Sequence, residues 1–371
     1  MIELEEKSLL NFSKANKDTS IKNNKQKKIN LSSFLFYLIF FHVIFITFIL
    51  IFLLKKQYKQ NNKIMNNIQN INLIEPYIKA QKDFCENNSK YINEKYENEI
   101  FLSNVSINDL KYQMYIFNST NFILNEFKLY GAYEVPLSNN IIEALNFYTS
   151  KKKVLNNKDI FMLDIGSNVG WYSSLLGRYG YTILCFEAFE NNYYVGKKNY
   201  CYLNKNDENV ILITKGLGKE EKLCHYFNHI NNAGNGMVIC DNNKTVLQDK
   251  GLGFIKDSEV EVTTLDYFMP YLLNKSIALM KIDVEGYEFE VLKGGKELIT
   301  EYHVPFVLLE FSPSYLREVG SDPKELAQFF VDNGYKISLD GFLSKNFISV
   351  DELLLKAGFQ VNCYFIHDSI I

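Results

Sequence analysis

A short apolar run that ends in an acid and a glycine turn constrains this chain more than any other feature. It covers residues 161–171, FMLDIGSNVGW, and a helical pattern follows over residues 171–179. In an open α/β sheet, a buried strand that leads through a glycine turn into the start of a helix forms a nucleotide site. Gly166 and Gly170 allow the backbone to approach a ligand because no side chain intervenes.

The spacing of these glycines separates the turn from a dinucleotide-binding one. The pattern over residues 164–170 is Asp-x-Gly-x-x-x-Gly, whereas the dinucleotide fingerprint is Gly-x-Gly-x-x-Gly. We expect the first glycine to form the turn and the second to let the helix pack on the strand. Such a pocket suits a ligand without phosphates, and a turn with no ligand is the alternative.

From residue 160 onward, short apolar runs alternate with helical periodicities. This alternation predicts a mainly parallel, doubly wound α/β sheet. The predicted strands are Ile160–Ile165, Thr182–Phe186, Val210–Thr214, Ala278–Ile282, Pro305–Glu310 and Cys363–Ile366. The predicted helices are Ser138–Ser150, Trp171–Tyr179, Asn191–Asn204, Glu288–Glu301 and Pro323–Asn333. Residues 219–262 break the alternation and predict a β-rich insertion that covers or shapes a substrate site.

A long apolar segment near the amino terminus predicts a membrane anchor. Residues 31–54, LSSFLFYLIFFHVIFITFILIFLL, contain no Asp, Glu, Lys or Arg over 24 positions. A helix of this length can span a bilayer. A cleaved signal peptide has a shorter apolar core and a shorter head, so we predict a single transmembrane helix ahead of the α/β sheet.

Lysine counts on the two sides of the anchor predict its orientation. The twenty residues before it contain six lysines and the twenty after it contain four. The positive-inside rule then places the amino terminus in the cytosol, which predicts a type II protein with a lumenal catalytic part in the ER or Golgi. Glycosylation sequons at Asn87, Asn104 and Asn118 agree with this orientation, although an Asn-rich chain also produces sequons by chance.

Composition limits the remaining possibilities. The 371 residues are 47% hydrophobic, enough for a large core, and the net charge of −3 gives no field for a nucleic-acid partner. The six cysteines contain no C-x-x-C pair, which disfavours structural zinc, and Cys185 is predicted to be a core thiol. The chain is predicted to have five parts in order. They are a disordered tail (residues 1–30), a membrane anchor (31–54), a stem (55–75), an unassigned extension (76–135) and an α/β domain (136–371).

Acidic residues end several of the predicted strands, at the edge where doubly wound sheets bind ligands. Asp164 ends the first strand and Glu187 follows the second. Asp283 and Glu285 follow the fourth, and Glu310 ends the fifth. Glu187 lies about twenty residues after the glycine turn, where an acid can accept hydrogen bonds from ribose hydroxyls. The alternative for Glu187 is a loop acid or a helix cap.

Four segments together resemble the FkbM-type methyltransferases. They are Phe161–Tyr172, Phe186–Glu187, Thr263–Asp266 and Lys281–Gly286, within roughly residues 135–345. The runs LDIGSNVGWY and LMKIDVEGYE, which occur in this order, make the resemblance specific. It implies methyl transfer from S-adenosylmethionine, typically to oxygen on sugars or secondary metabolites, by a Rossmann-like methyltransferase domain over residues 136–371.

The resemblance also implies where the cofactor binds. In this family the glycine turn holds the methionine moiety and the acid after the second strand holds the ribose. Those roles fall on Asp164, Gly166, Ser167, Asn168, Gly170 and Glu187. The chain departs from the family at Ala188, where a proline is common, and at Gly216, in a turn near adenine where alanine is common. We include Gly216 among the predicted cofactor-binding residues.

Methyl transfer to a hydroxyl needs positioning of the two reactants and removal of one proton. The cofactor itself supplies an activated methyl group. We predict Asp283 as the base or the acceptor-orienting group, Glu285 as the second candidate and Lys281 as a tuning partner. The alternative is structural: Lys281 and Asp283 alternate onto one face and pair, and Glu285 caps the next helix.

A metal site is a further alternative for these acids. Asp283, Glu285 and Glu310 could bind Mg²⁺ or Mn²⁺, since carboxylate oxygens suit hard cations. Nothing in the sequence fixes three ligands at one point, so we assign no metal.

Two other functions stay open. An anchored glycosyltransferase has the same anchor and stem, but such enzymes usually carry an Asp-x-Asp motif; this chain has none, and residues 283–285, Asp-Val-Glu, come nearest. The second is a binding protein that has the same fold and no enzymatic activity. The presence of Asp164, Gly166, Gly170 and Glu187 argues against it. The expected partners are a small-molecule or glycan acceptor and, through residues 31–54, the membrane.

Overall fold

The computed structural model describes residues 73–92, 94–118, 122–203, 209–229, 232–240, 254–273 and 275–371. These belong to one compact unit, Gln69–Ile371. The predicted tail, the predicted anchor at 31–54 and nearly all of the predicted stem lie outside the described residues. Within the described ranges, no helix combines the length and apolar character that a membrane crossing requires.

Thirteen strands are found in the described residues, and they form three sheets. In chain order they are β1 (Ile100–Ile107), β2 (Leu110–Phe117), β3 (Ile160–Ile165), β4 (Thr182–Phe186), β5 (Val210–Ile213), β6 (Gly216–Leu217), β7 (Lys222–His229), β8 (Asn232–Ile239), β9 (Phe254–Thr263), β10 (Ser276–Ile282), β11 (Phe306–Phe311), β12 (Tyr335–Ser338) and β13 (Val361–His367). The largest sheet has the order β12-β13-β11-β10-β3-β4-β5, the second has the order β6-β9-β7-β8, and β1 and β2 form an antiparallel pair.

Helices connect the strands of the large sheet. They cover residues 73–86 and then Glu94–Glu97, Phe122–Tyr130, Val135–Lys152, Trp171–Arg178, Glu190–Leu203, Met269–Leu272, Glu288–Lys293, Lys296–Thr300, Pro313–Glu318, Pro323–Asp332 and Val350–Lys356. The predicted helix over 288–301 is wrong in one respect, because it is two helices separated by Gly294 and Gly295. A Cβ at Gly294 would lie 1.9 Å from the carbonyl oxygen of Gly218, so the break lets another chain segment pass.

The large sheet is mainly parallel, as predicted, with an antiparallel part at one edge. The strands β5, β4, β3, β10 and β11 pair in parallel, as the alternation predicts. The strand β13 runs antiparallel to both of its neighbours, β11 and β12. An apolar run has the same periodicity in either direction, so the sequence predicts a strand there without its sense. The four-residue strand β12 was missed because so short a run shows no clear period.

Alternate side chains of β3 pack into different cores on the two faces of the sheet. Phe161, Leu163 and Ile165 belong to one apolar cluster, while Ile160 and Met162 belong to the other. This alternation buries every residue of the strand and brings its carboxyl end, with the glycine turn, to one edge of the sheet. All six residues of the strand agree with the prediction, as do all five of β4.

The extension at 76–135, which the sequence left unassigned, packs against the α/β sheet. The Asn199 side chain accepts the backbone N–H of Tyr115 at 2.6 Å and donates to the carbonyls of Tyr115 at 3.0 Å and Val169 at 2.8 Å. Gln81 donates to the Val210 carbonyl at 2.9 Å and accepts the Leu212 N–H at 3.1 Å. Gln81 therefore makes hydrogen bonds to two backbone groups of β5, which is the edge strand of the sheet and has no neighbouring strand on that side.

Two disulfides are present in the described residues, and neither pairing was predicted from the sequence. Cys85 of helix 73–86 bonds to Cys201 of helix Glu190–Leu203, and Cys224 of β7 bonds to Cys240 directly after β8. The spacing of six cysteines does not show which of them pair and which stay free, so the pairing is not readable from the sequence. Cys185 is free and buried, which confirms the prediction of a core thiol.

Asn199→Ala should test how much the extension contributes to stability. Asn199 is 1% exposed, and the substitution leaves a backbone N–H and two carbonyls without their partner. We expect a loss of roughly 2–4 kcal/mol in the free energy of unfolding, measured by urea denaturation. Asn104→Ala, on the exposed side of the β1–β2 pair, is the control and should stay within about 0.5 kcal/mol. A loss at Asn199 no larger than the control would contradict this role.

Candidate active site

A cavity of about 310 Å³ opens at the carboxyl ends of β3, β4, β10 and β11. This is the edge where doubly wound sheets bind ligands, and the volume lies at the lower end of the usual range for small-molecule sites. The predicted site residues that line it are Gly166, Asn168, Glu187, Gly216, Asp283 and Glu285. The predicted residues Asp164, Ser167, Gly170 and Lys281 are not among the lining residues, although each is close in sequence to one that is.

The two glycines of the turn are needed for close approach. Gly166 has φ +77°, and a Cβ there would lie 1.8 Å from the carbonyl oxygen of Asp283. Gly170 has φ +81°, and a Cβ there would lie 2.8 Å from the hydroxyl of Tyr200. The first glycine therefore forms the turn against the end of β10, as expected. The second lets its helix start beside helix Glu190–Leu203, rather than against the strand as the spacing suggested.

Two buried polar atoms at the turn lack partners. Asp164 is fully buried, and its Oδ2 accepts a hydrogen bond from the Ser173 hydroxyl. Within the described ranges, neither Asp164 Oδ1 nor the Ser167 hydroxyl has a hydrogen-bond partner. Burial raises the pKa of Asp164, and the nearby Lys281 ammonium opposes that rise. Because Ser167 belongs to the turn itself, its unpartnered hydroxyl fits a polar ligand held against this backbone.

Glu187 fixes the backbone of two loops. Its Oε2 accepts the N–H of Asn168 at 2.7 Å and its Oε1 accepts the N–H of Phe189 at 2.9 Å. The residue is 6% exposed, and this burial raises the pKa of Glu187 to about 7, against the effect of the two backbone donors. Each carboxylate oxygen has a further lone pair, so Glu187 can accept from ribose hydroxyls while it holds the turn.

The predicted β-rich insertion contributes to the cavity wall. It supplies Tyr226 of β7 and Val238 of β8 to the lining. The ring of Tyr226 stacks on Phe189, with the ring centroids 4.0 Å apart. The insertion therefore shapes the site, as the break in the alternation predicted, and its tyrosine lies against the loop that follows Glu187.

Carboxylates from three parts of the fold line the same cavity. Asp283 and Glu285 follow β10, Glu310 belongs to β11, and Glu134 precedes helix Val135–Lys152. The Lys281 ammonium donates to Asp283 Oδ2 at 2.8 Å, so the predicted structural pairing of these two residues is present. Lys281 is 4% exposed. Burial disfavours its charge, yet the surrounding carboxylates, Asp283 first, outweigh burial and raise the pKa of the ammonium.

Glu285 does not cap the following helix, although the sequence left that possibility open. The N-cap residue is Tyr287, which makes no side-chain cap hydrogen bond, and Oε1 of Glu288 accepts the N–H of Gly286 at 2.9 Å and the N–H of Val284 at 3.4 Å in the turn before the helix. Glu285 has φ +53°, and its Oε2 is buried with no hydrogen-bond partner in the described part of the chain. Burial raises the pKa of Glu285 well above its ordinary value, and the neighbouring Asp283 adds to the rise.

The three carboxylates considered as metal ligands come together in space. Asp283, Glu285 and Glu310 each place an oxygen within 4.8 Å of the others. The sequence could not show this convergence, which arises because β10 and β11 are neighbours in the sheet. Asp283 already has an ammonium partner and carboxylates often cluster without an ion, so the geometry alone assigns no metal.

Sequence reasoning missed Glu134. The residue has φ +43°, its backbone N–H donates to Glu126 Oε2 at 2.6 Å, and its own carboxylate accepts the hydroxyl of Tyr172. Burial raises the pKa of Glu134. The only indication in the sequence is that Glu134 directly precedes Val135 and Pro136, at the start of a helical pattern. No feature of this segment predicts that Glu134 lies near the glycine turn.

The glycine turn after β3, the acid after β4 and the cavity at the carboxyl edge define an α/β nucleotide-binding domain. Within this class, residues 164–337 match the model of the methyltransferase FkbM domain. The resemblance to the FkbM-type methyltransferases that was found in the sequence is therefore confirmed over this part of the chain. The family match also supports S-adenosylmethionine as the cofactor.

Several solved methyltransferase structures are similar to this chain at low identity. Magnesium protoporphyrin IX methyltransferase (ChlM) from Synechocystis PCC 6803 with bound SAM is 11% identical, with a TM-score of 0.34 over 68% of this chain and 86% of that one. A TehB-like SAM-dependent methyltransferase from Corynebacterium glutamicum is 9% identical, with a TM-score of 0.32 over 66% and 94%. WbdD is 13% identical, with a TM-score of 0.32 over 62% and 39%. No curated protein sequence matches the chain significantly.

Proposed function

We propose that this protein is a membrane-anchored enzyme that transfers a methyl group from S-adenosylmethionine to a hydroxyl of a glycan or another small polar acceptor. The observation that carries the proposal is the cavity itself, which joins the glycine turn and Glu187 to the carboxylates of Asp283 and Glu310. A nucleoside-binding wall and a proton-accepting group in one cavity are what methyl transfer to a hydroxyl requires.

The cofactor-binding roles follow from the wall of the cavity. The backbone at Gly166 and Asn168 and the buried Ser167 hydroxyl would hold the methionine moiety, and Glu187 would accept from the ribose hydroxyls. Gly216 lines the same cavity beside Ala188 and would lie near the adenine ring. When bound, the cofactor supplies the activated methyl group.

The disulfides support a lumenal catalytic domain. Structural disulfides persist in oxidising compartments and are rare in the cytosol. The sequon residues Asn87, Asn104 and Asn118 are all exposed, so an oligosaccharide could be attached to each. Both observations agree with an anchor at residues 31–54 that leaves the amino terminus in the cytosol. A lumenal enzyme of this kind needs its cofactor to be imported from the cytosol.

Calorimetric binding tests the cofactor assignment. The full-length chain, purified in detergent, is titrated with S-adenosylmethionine and separately with a nucleotide-sugar plus Mn²⁺. We expect saturable binding of S-adenosylmethionine, on the order of micromolar, and none of the nucleotide-sugar. A folded protein that binds the nucleotide-sugar instead would favour the anchored glycosyltransferase, and a folded protein that binds neither would favour a binding protein without activity.

A further inference from the structure

One wall of the cavity comes from outside the large sheet. Ile123, Tyr133 and Glu134 line the same space as the glycine turn. All three belong to the extension and precede residues 164–337, which match the family model. The family match therefore assigns no role to these three residues, which we call the extension wall.

The extension wall is fixed to the helix that starts directly after the glycine turn. The Tyr172 hydroxyl donates to the Glu134 carboxylate, and the ring of Tyr133 meets Trp171 edge to face, with the ring centroids 6.3 Å apart. Trp171 is buried, and its Nε1 donates to the buried Ser138 hydroxyl at 3.0 Å. Because these partners are buried, the wall is held in place before a ligand binds, which reduces the entropy lost on binding.

Contacts over one aromatic ring connect the extension wall to the acids after β10. The Lys281 ammonium lies 5.2 Å from the centroid of the Tyr172 ring, whose hydroxyl binds Glu134, and the same ammonium donates to Asp283 at 2.8 Å. The charge of Asp283 raises the pKa of Glu134, an effect that requires the two carboxyl groups to be near each other. The proposed cofactor contacts belong to the glycine turn and Glu187. The extension wall therefore borders the space left for the acceptor.

The chemistry of the extension wall fits a sugar. A sugar ring has hydroxyl groups at its edge and C–H groups on its faces, so it needs both hydrogen-bond acceptors and apolar surface. Glu134 supplies the acceptors: Tyr172 donates to Oε2, and no donor to Oε1 is found in the described part of the chain. Ile123 and the ring of Tyr133 supply the apolar surface. A few polar groups set in apolar surface fix the orientation of a ligand.

We infer that the extension wall binds the acceptor, that this acceptor is a sugar, and that Glu134 accepts a hydrogen bond from one of its hydroxyls. The inference rests on the proposed function and names the acceptor-binding residues in it. The hydroxyl that Glu134 holds keeps its proton and is not the one that becomes methylated. Loss of the contact should therefore weaken acceptor binding and change the chemical step far less.

Steady-state kinetics of the full-length protein test the role of Glu134. The probes are individual neutral methyl glycosides, with radiolabelled S-adenosylmethionine as the methyl donor. Glu134→Ala should raise the acceptor KM roughly 10–100-fold, as expected for a hydrogen bond to a charged group, with kcat changed far less. Glu134→Gln keeps one acceptor oxygen and should give an intermediate KM. Glu143→Ala, at an exposed acid of helix Val135–Lys152, is the matched control and should behave like the wild type.

Monodeoxy glycosides separate a direct contact from a general disturbance of the cavity. For the glycoside that lacks the hydroxyl bound by Glu134, the wild type and Glu134→Ala should have similar KM values, because the contact is missing in both. For the other monodeoxy glycosides the difference between the two proteins should remain. An equal rise in KM for every glycoside would contradict a hydrogen bond from Glu134 to one hydroxyl.

Calorimetry with S-adenosylmethionine distinguishes failure of this inference from failure of the proposed function. Every variant should bind the cofactor like the wild type. An unchanged acceptor KM in Glu134→Ala would overturn the inference alone. Loss of cofactor binding in Glu134→Gln, at an unchanged unfolding temperature, would also overturn it and give the wall a cofactor role. If the wild type binds the cofactor but neither methylates a glycoside nor binds one in saturation-transfer NMR, the proposed acceptor class fails and the inference fails with it.

Discussion

Glu187→Ala should weaken the binding of S-adenosylmethionine about a hundredfold. The carboxylate accepts the N–H groups of Asn168 and Phe189, so it holds the glycine turn and the following loop in place. It also offers lone pairs for two ribose hydroxyls. Hydrogen bonds to a charged group contribute roughly 1.5–3 kcal/mol, and a loss of about 2.7 kcal/mol corresponds to a hundredfold change in Kd.

An analogue without ribose hydroxyls separates the two roles of Glu187. Calorimetry compares the wild type and Glu187→Ala with S-adenosylhomocysteine and with its dideoxy analogue. If Glu187 binds the ribose, the variant should lose much less affinity for the dideoxy compound than for the parent. An equal loss for both ligands would mean that Glu187 only holds the backbone. Glu190→Ala, an exposed acid three residues further along, is the matched control and should bind like the wild type.

The parts of the site that could be predicted are those encoded within one strand and its following turn. The run at 160–170 predicted β3 and the turn at Gly166, because both depend on neighbours in sequence. The acid at Glu187 was found in the same way, through its distance from the turn. Features that depend only on residues close together in the chain can therefore be predicted from a single sequence.

Other parts of the site depend on which segments meet in space. Glu134 comes close to the acids after β10 only because the extension folds against the sheet, and its local sequence carries no sign of this contact. The meeting of Glu310 with Asp283 and Glu285 likewise depends on the pairing of β10 with β11 in the sheet, which the spacing does not show. The sequence ranked Asp283 ahead of Glu285 as candidate base, and the structure places both of them in the cavity wall together with Glu310.

The Cys85–Cys201 disulfide should contribute more to the free energy of unfolding than the second disulfide, Cys224–Cys240. It joins residues 116 positions apart, whereas the other joins residues 16 apart. In the chain-entropy account, loops of these sizes correspond to roughly 4.7 and 3 kcal/mol, because the longer loop removes more freedom from the unfolded chain. The long-range bond also ties the extension, which brings Glu134 to the cavity, to the helix that follows the Glu187 loop.

Urea denaturation of two paired variants measures this difference. Cys85→Ala with Cys201→Ala should lower the free energy of unfolding by about 2–5 kcal/mol, and Cys224→Ala with Cys240→Ala should lower it by less. Reduction of the wild type should reproduce the sum of the two losses. If removing Cys85 and Cys201 costs no more than removing the short-range pair, the extension is held by its hydrogen bonds and apolar contacts alone.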